Sequence, residues 1–316
     1  MSPCPASGKR PTEAAGGLKA PFPFFGGKSR IAGEVWQRLG SVQNYSEPFC
    51  GSCAVLLSNP HPAPVETVND ADSWLSNFWR SVKLKPNEVA EAADYPVSEV
   101  DLVARHRWLC RQPDIAEKLK ADPEWCDTKM AGIWLWGQCA WIAEGWGHSP
   151  QTEKLPHLGN PGRGINRKLP HLGNPGRGEY IRSLMDRLSH RLRDVRIACG
   201  DWSRVLGPSV TIKHGMTAVF LDPPYAETEH SVSYNGGGSV WGDVCAWCEE
   251  NGDSPLLRIA LCGYLETWTA PAGWTVLPWK TAGGYGSQGN GRGKSNRMRE
   301  TVWFSPHCLQ QEFCFA

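Results

Sequence analysis

The stretch FLDPPYAETEHSVSYNGGG runs from Phe220 to Gly238. It places an acid, Asp222, two prolines and an aromatic, Tyr225, directly after a short apolar run. Proline has no N–H and a fixed φ. Pro223 and Pro224 therefore make a stiff turn that leaves backbone carbonyls facing outward as acceptors. A carboxylate beside a fixed carbonyl, with a flat ring next to both, suits a planar ring that carries an exocyclic amine. The acceptors take the N–H groups and Tyr225 stacks. On these residues alone the alternative is a strand-ending proline turn.

Such a turn does chemistry only where the fold gathers other groups around it. Short apolar or alternating runs bounded by Gly, Asp and Pro predict strands at Tyr45–Glu47, Pro64–Val68, VRIACGD (Val195–Asp201), TAVFLD (Thr217–Asp222) and LLRIALCG (Leu256–Gly263). These fit buried strands of a mainly parallel sheet. WTVLPWK and ETVWFSP read as a closing antiparallel pair. In YIRSLMDRLSHRLRDV the residues Ile181, Leu184, Met185, Leu188, Leu192 and Val195 recur at helical spacing, opposite an arginine-rich face. Strands alternating with helices predict an α/β sandwich. Open sheets of this kind bind ligands at the carboxyl ends of their strands, and Asp222 stands at such an end.

The middle, from about Pro86 to Glu179, breaks the rhythm. It is tryptophan-rich (MAGIWLWGQCAWIAEGWG) and then rich in Gly, Pro and Arg. The segment KLPHLGNPGRG occurs at Lys154–Gly164 and again at Lys168–Gly178. Two copies do not make a solenoid, so the pair reads as a duplicated surface loop, either a DNA contact or a tolerated duplication. The expected layout is a flexible 1–19, a catalytic domain from 20–85 and 190–316, and an inserted region at 86–189.

With 316 residues, 41% of them hydrophobic, the chain can bury a sizeable core. Its net charge of +1 excludes a generally basic protein, so any nucleic-acid contact must come from local patches. No apolar run is long enough for a transmembrane helix. The start, MSPCPASGKRPTEAAGG, lacks the apolar segment of a secretion signal. The twelve cysteines therefore read as reduced thiols in a cytoplasmic protein. Cys50/Cys53 and Cys245/Cys248 have metal spacing, but structural zinc takes four ligands. Buried thiols and no metal are expected.

DPPY is the hallmark of amino-methylating DNA methyltransferases, and further motifs follow in order. PFFGGKSR (Pro23–Arg30), EPFCGSCAV (Glu47–Val55), VNDAD (Val68–Asp72), CGDW (Cys199–Trp202) and RETVWFSPHC (Arg299–Cys308) resemble motifs of the Dam-type, alpha-group, adenine-N6-specific DNA methyltransferase family. The resemblance covers about Phe22–Arg80 and Val195–Pro306. It implies a Rossmann-like S-adenosylmethionine-dependent methyltransferase sheet with an inserted, mainly helical and loop, target-recognition region. It also implies S-adenosyl-L-methionine as cofactor, double-stranded DNA as partner, and methyl transfer to N6 of a flipped-out adenine. Asp222, Pro223, Pro224 and Tyr225 would be catalytic. Phe24, Lys28, Phe49, Gly51, Ser52, Asp70, Asp201, Trp202 and Asp222 would hold the cofactor. Phe24 stands where the family commonly has tryptophan, and Cys50 and Cys53 stand in a loop that usually carries more glycine.

The chemistry of these positions also reads on its own. Gly51 and Ser52 let backbone approach a ligand closely, and a loop entering a helix offers N–H groups to a carboxylate. Asp70 is placed to accept ribose hydroxyls, or else to cap the helix SWLSNFWR. Asp201 and Trp202 offer an acceptor and an aromatic wall to an adenine, or else Asp201 is a turn acid.

Two basic patches are candidate DNA contacts. Lys154–Arg196 holds ten Lys/Arg against three acids, including Arg163 and Arg177. Lys280–Arg299 holds five cations and no acid, with Arg292, Lys294, Arg297 and Arg299 among glycines that can follow phosphates. A solvated loop is the alternative. Neighbouring functional readings are N4-cytosine methylation, methylation of an RNA or protein amide, and a catalytically silent DNA-binding protein on the same fold. No obligate protein partner is inferred, and a modification enzyme of a bacterial cell or phage-infected host is the expected setting.

Overall fold

The computed structural model describes residues 18–22, 27–140, 146–147, 177–224, 240–279 and 300–310. Its centre is a seven-stranded sheet made of β1 (Asn44–Glu47), β2 (Val65–Asp70), β3 (Val195–Cys199), β4 (Thr217–Leu221), β5 (Leu257–Tyr264), β6 (Thr275–Pro278) and β7 (Glu300–Phe304). The strand order is β3-β2-β1-β4-β5-β7-β6. The first five strands are parallel. β7 runs antiparallel to both β5 and β6, as the closing pair predicted. The strands differ from the sequence expectation mainly at their carboxyl ends. β2 continues to Asp70 and β5 to Tyr264.

The order reverses between β1 and β4. Loops leaving these two strands diverge and open a crevice at the carboxyl edge of the sheet. The Glu47–Cys53 loop follows β1, and Asp222 follows β4, so both flank that crevice.

Successive strand residues face opposite sides, which divides the core in two. Ala218 and Phe220 join a large core with α1 (Ala32–Leu39), α3 (Ser73–Leu84) and α8 (Arg177–Leu192). Val219 and Leu221 pack on the other face against Val240, Trp241, Val244, Cys245 and Cys248 of α9 (Val240–Asn251). In α8 the expected apolar face is buried through Ile181, Leu184, Met185, Leu188 and Leu192. Val195, the last residue of that pattern, already belongs to β3.

The tryptophan-rich middle forms a helical layer. It contains α4 (Pro86–Ala93), α5 (Glu99–Cys110), α6 (Ala116–Ala121) and α7 (Thr128–Ala140). α7 is buried nearly all round, from Met130 to Ala140. A helix in that position needs no polar face and shows no amphipathic period. Gly132 of α7 lies so close to Ala92 and Ala93 of α4 that a Cβ would strike backbone. Residues of α4, α5, α6 and α7 share the large core with α3 and α8.

Candidate active site

The described site residues come from separate elements that end at the same edge of the sheet. Lys28 precedes α1, and its carbonyl accepts from the Ile31 and Ala32 N–H groups at 3.0 Å each. Its side chain runs inward, and Nζ lies 2.8 Å from Asp222 Oδ2. Lys28 is 4% exposed and Asp222 23%. Burial by itself would lower the lysine pKa, but the negative charge of Asp222, with Glu300 adding to it, outweighs it and raises the pKa. The ammonium is therefore held charged. The Trp279 ring centroid stands 5.8 Å from Nζ. Pro223 is buried behind Asp222, and Pro224 is part-buried.

Other acids crowd the same edge. Glu47 ends β1, and its Oε2 accepts from the Tyr45 hydroxyl at 2.9 Å and the Leu56 N–H at 3.1 Å. Burial pushes its pKa up to about 8, with Asp222 among the groups that add to the rise. Asp70 ends β2. Its Oδ2 accepts from the Gly51 N–H and its Oδ1 from the Asp72 N–H, both at 3.0 Å. Burial, then the neighbouring Asp72, raises it to about 6. Asp70 does not cap α3. Asp72 does so, accepting from Trp74 N at 2.8 Å and Leu75 N at 3.3 Å. Glu300, the first residue of β7, is raised to about 7 by burial; Lys28 opposes the rise and Asp222 adds to it.

The loop after β1 is tightly folded. Gly51 has φ 44°, and Cys53 has φ 51°. Cys53 is the one non-glycine with positive φ among the described residues. The Cys53 N–H donates to the Cys50 carbonyl at 2.6 Å, and the Trp79 indole N–H to the Gly51 carbonyl at 2.9 Å. Ser52 is buried beside them. α2 (Ala54–Leu57) follows directly. Across the crevice, Phe49 and Trp202 stand nearly parallel, with an interplanar angle of 27° and centroids 6.0 Å apart. Asp201 uses Oδ1 to accept from the Ser203 N–H, which caps the short 3-10 turn Trp202–Val205.

The structure thus brings Lys28, Asp222 and Pro223 together at one edge with Phe49, Gly51, Ser52, Asp70, Asp201 and Trp202. Phe24, Tyr225, Arg163, Arg292, Lys294, Arg297 and Arg299 lie outside the described residues, and so does most of the duplicated loop. Arg177 is the first residue of α8. The Cys50 and Cys53 thiols are free and hydrogen-bond to each other, which together with burial raises the Cys50 pKa. Cys245 and Cys248 are buried against the sheet. Among the described residues no three His, Cys, Asp or Glu side chains are grouped to hold a metal ion.

Sequence reasoning gave no role to Glu300, Cys262 or Trp279, and quoted Glu47 only as part of a strand and a motif. The signal for Glu300 was an acid opening an otherwise apolar strand, ETVWF. Only strand register shows that it meets the crevice.

Residues 24–101 match the family described as D12 class N6 adenine-specific DNA methyltransferase. Over these residues the chain is similar to the D12-class DNA methyltransferases. The match spans Lys28, the loop after β1 and Asp70, the half of the site contributed by the first two strands. It continues past Arg80 into α5, which the motif reading did not. The DPPY turn lies outside the matched residues, and geometry ties it to the matched part through the Lys28–Asp222 ion pair. A search of curated proteins finds no match. The mixed α/β sheet agrees with a Rossmann-like methyltransferase fold, and the family makes this methyltransferase an adenine-N6 enzyme acting in DNA methylation. Among its described residues no helix is long and apolar enough to cross a membrane.

Proposed function

We propose that this methyltransferase transfers a methyl group from S-adenosyl-L-methionine to N6 of an adenine flipped out of duplex DNA. The observation that carries the reading is the buried Lys28–Asp222 pair at the switch point of the sheet, next to the loop after β1. The residues present fit the cofactor. Asp70 offers a carboxylate at the end of β2, suited to a ribose diol. Phe49 and Trp202 offer flat faces for a purine. Asp70 and Asp222 bring carboxylates to the edge, which suits a sulfonium.

S-adenosyl-L-methionine supplies an electrophilic methyl group. The chain supplies position and charge. The N6 lone pair of adenine is delocalised into the ring and is a weak nucleophile. Asp222 and the Pro223 carbonyl accept its two hydrogens, which favours a tetrahedral nitrogen and stabilises the positive charge that develops there. Lys28 Nζ holds the Asp222 carboxylate at Oδ2. Pro223 and Pro224 hold the carbonyls rigid. Tyr225 stacks on the extruded base, offsetting part of the few kcal/mol that flipping costs.

DNA is held by the basic segments, with Arg163, Arg177, Arg292, Lys294, Arg297 and Arg299 on phosphates. The inserted region at 86–189 reads the target. Isothermal titration of the protein with S-adenosyl-L-methionine tests the cofactor half of this reading. Binding is expected, weakened about 10-fold or more by Trp202→Ala, consistent with the loss of a stacking face worth ~1–3 kcal/mol. Wild-type protein that takes up no cofactor would remove the basis of the reading.

A further inference from the structure

Glu300 is a second carboxylate at the Lys28–Asp222 pair, contributed by the far end of the sheet. In the parallel pairing of β4 and β5, Leu221 lies opposite Leu261, which sets Asp222 level with Cys262. In the antiparallel pairing of β5 and β7, Tyr264 lies opposite Glu300. Glu300 therefore overhangs the crevice two residues beyond the level of Asp222. Its carbonyl accepts from the Trp279 N–H at 3.1 Å, and the Trp279 ring stands by the Lys28 ammonium. Its Oε2 is buried with no hydrogen-bond partner among the described residues. Burying such an oxygen unpaired costs free energy, and a purely structural carboxylate would have been satisfied.

What Glu300 has in place of a hydrogen bond is charge. Its carboxylate raises the Lys28 pKa, and Lys28 lowers that of Glu300. Lys28 alone beside Asp222 would draw the carboxylate's electron density toward its own N–H and weaken it as an acceptor for anything else. We propose that Glu300 is a positioning residue of the methyl-transfer site: acting through Lys28, it takes a share of the buried positive charge and leaves Asp222 a strong acceptor for the target amine. This rests on the reading of Lys28 and Asp222 given above.

Among the described residues, the titratable groups at this edge with Glu300 are Lys28 before α1, Glu47 on β1, Asp222 after β4, and Cys262 and Tyr264 on β5. Burial pushes Cys262 well up, so it stays a neutral thiol. Glu47 titrates at about 8 and gives a separate, more alkaline step. Glu300, raised to about 7, becomes charged as pH rises through neutrality, so turnover should rise over the same interval.

The test compares wild-type, Glu300→Gln and Glu300→Asp proteins in steady-state methyl transfer to duplex DNA from pH 6 to 9, with thermal melting of each. Glu300→Gln is expected to lower kcat roughly 10- to 100-fold, as loss of one preorganised electrostatic element does. The KM for S-adenosyl-L-methionine should stay within about 2-fold, because this interaction acts on the transition state. The limb near neutrality should vanish, and Glu300→Asp should restore part of both rate and limb. Wild-type kcat with an unchanged limb in Glu300→Gln would overturn the proposal. So would a lowered melting temperature with the pH profile intact, since that is what a structural role gives. Wild-type protein without any transfer would overturn the methyltransferase reading itself, and this inference with it.

Discussion

Two buried ion pairs stand at opposite edges of the sheet, and they are built differently. Arg191 of α8 grips Glu66, near the start of β2, with both guanidinium nitrogens, at 2.6 and 2.9 Å. Glu66 also accepts from Asn59 and Ala63, and Arg191 also donates to the Leu56 carbonyl. One carboxylate meets one guanidinium and several neutral donors. At the other edge, Lys28 Nζ meets Asp222 Oδ2 in the company of Glu47, Glu300 and Asp70, all three with raised pKa values. The first pair is satisfied and locks α8 onto the sheet. The second sits among acids whose raised pKa values keep protons on part of them near neutrality. Perturbed acids gathered in this way favour the proposed site at that edge, whereas the first pair holds the fold together.

The largest stability contrast follows directly. Glu66→Gln leaves Arg191 buried opposite a neutral amide and should destabilise by about 3–5 kcal/mol, read from chemical denaturation. Asp222→Asn keeps a carbonyl to accept from Lys28, leaves Glu300 as counter-charge and removes one acid from the cluster. It should cost less than Glu66→Gln does. Equal losses in the two variants would erase the distinction between the pairs.

The acid excess also predicts a pH dependence. Glu47 has its folded-state pKa raised to about 8 from an ordinary 4.5. The folded state therefore keeps a proton that the unfolded chain has released. The contribution of this group to stability is complete below about 4.5 and is lost as pH rises through about 8. Glu300 and Asp70 act with the same sign at lower pH. Glu47→Gln keeps a carbonyl for the Tyr45 and Leu56 donors, which both reach one oxygen. Its melting temperature should fall less than that of the wild type between pH 5 and 8. A steeper fall would contradict the assignment of buried, protonated Glu47.

The smallest effect concerns the two acids at the end of β2. Asp72 caps α3, so Asp72→Ala should cost about 1 kcal/mol with little change in cofactor affinity. Asp70→Asn should show the reverse order: a clear loss of affinity and a smaller loss of stability. Titration calorimetry and melting on the two variants separate them.

The strands were legible in the sequence because each is a short apolar run stopped by Gly, Asp or Pro, and the apolar face of α8 because only one side of it is buried. The DPPY turn and Lys28 were legible as residue types, though not as partners. What stayed hidden has physical reasons. α7 shows no period because it is buried all round. Asp70 and Asp72 are two residues apart, and only hydrogen bonds show which one caps. Glu300 reaches the site through the register of an antiparallel strand far along the chain from Lys28.

The central claim is that the Lys28–Asp222 edge performs amine methylation on DNA. Nucleoside mass spectrometry tests it most directly, on duplex DNA incubated with S-adenosyl-L-methionine and either wild-type or Asp222→Asn protein. N6-methyladenine from the wild type, reduced at least about 100-fold in a folded Asp222→Asn protein, is the expected result. N4-methylcytosine as the product would overturn the base assignment, and N6-methyladenine at wild-type levels from Asp222→Asn would contradict the account of the site.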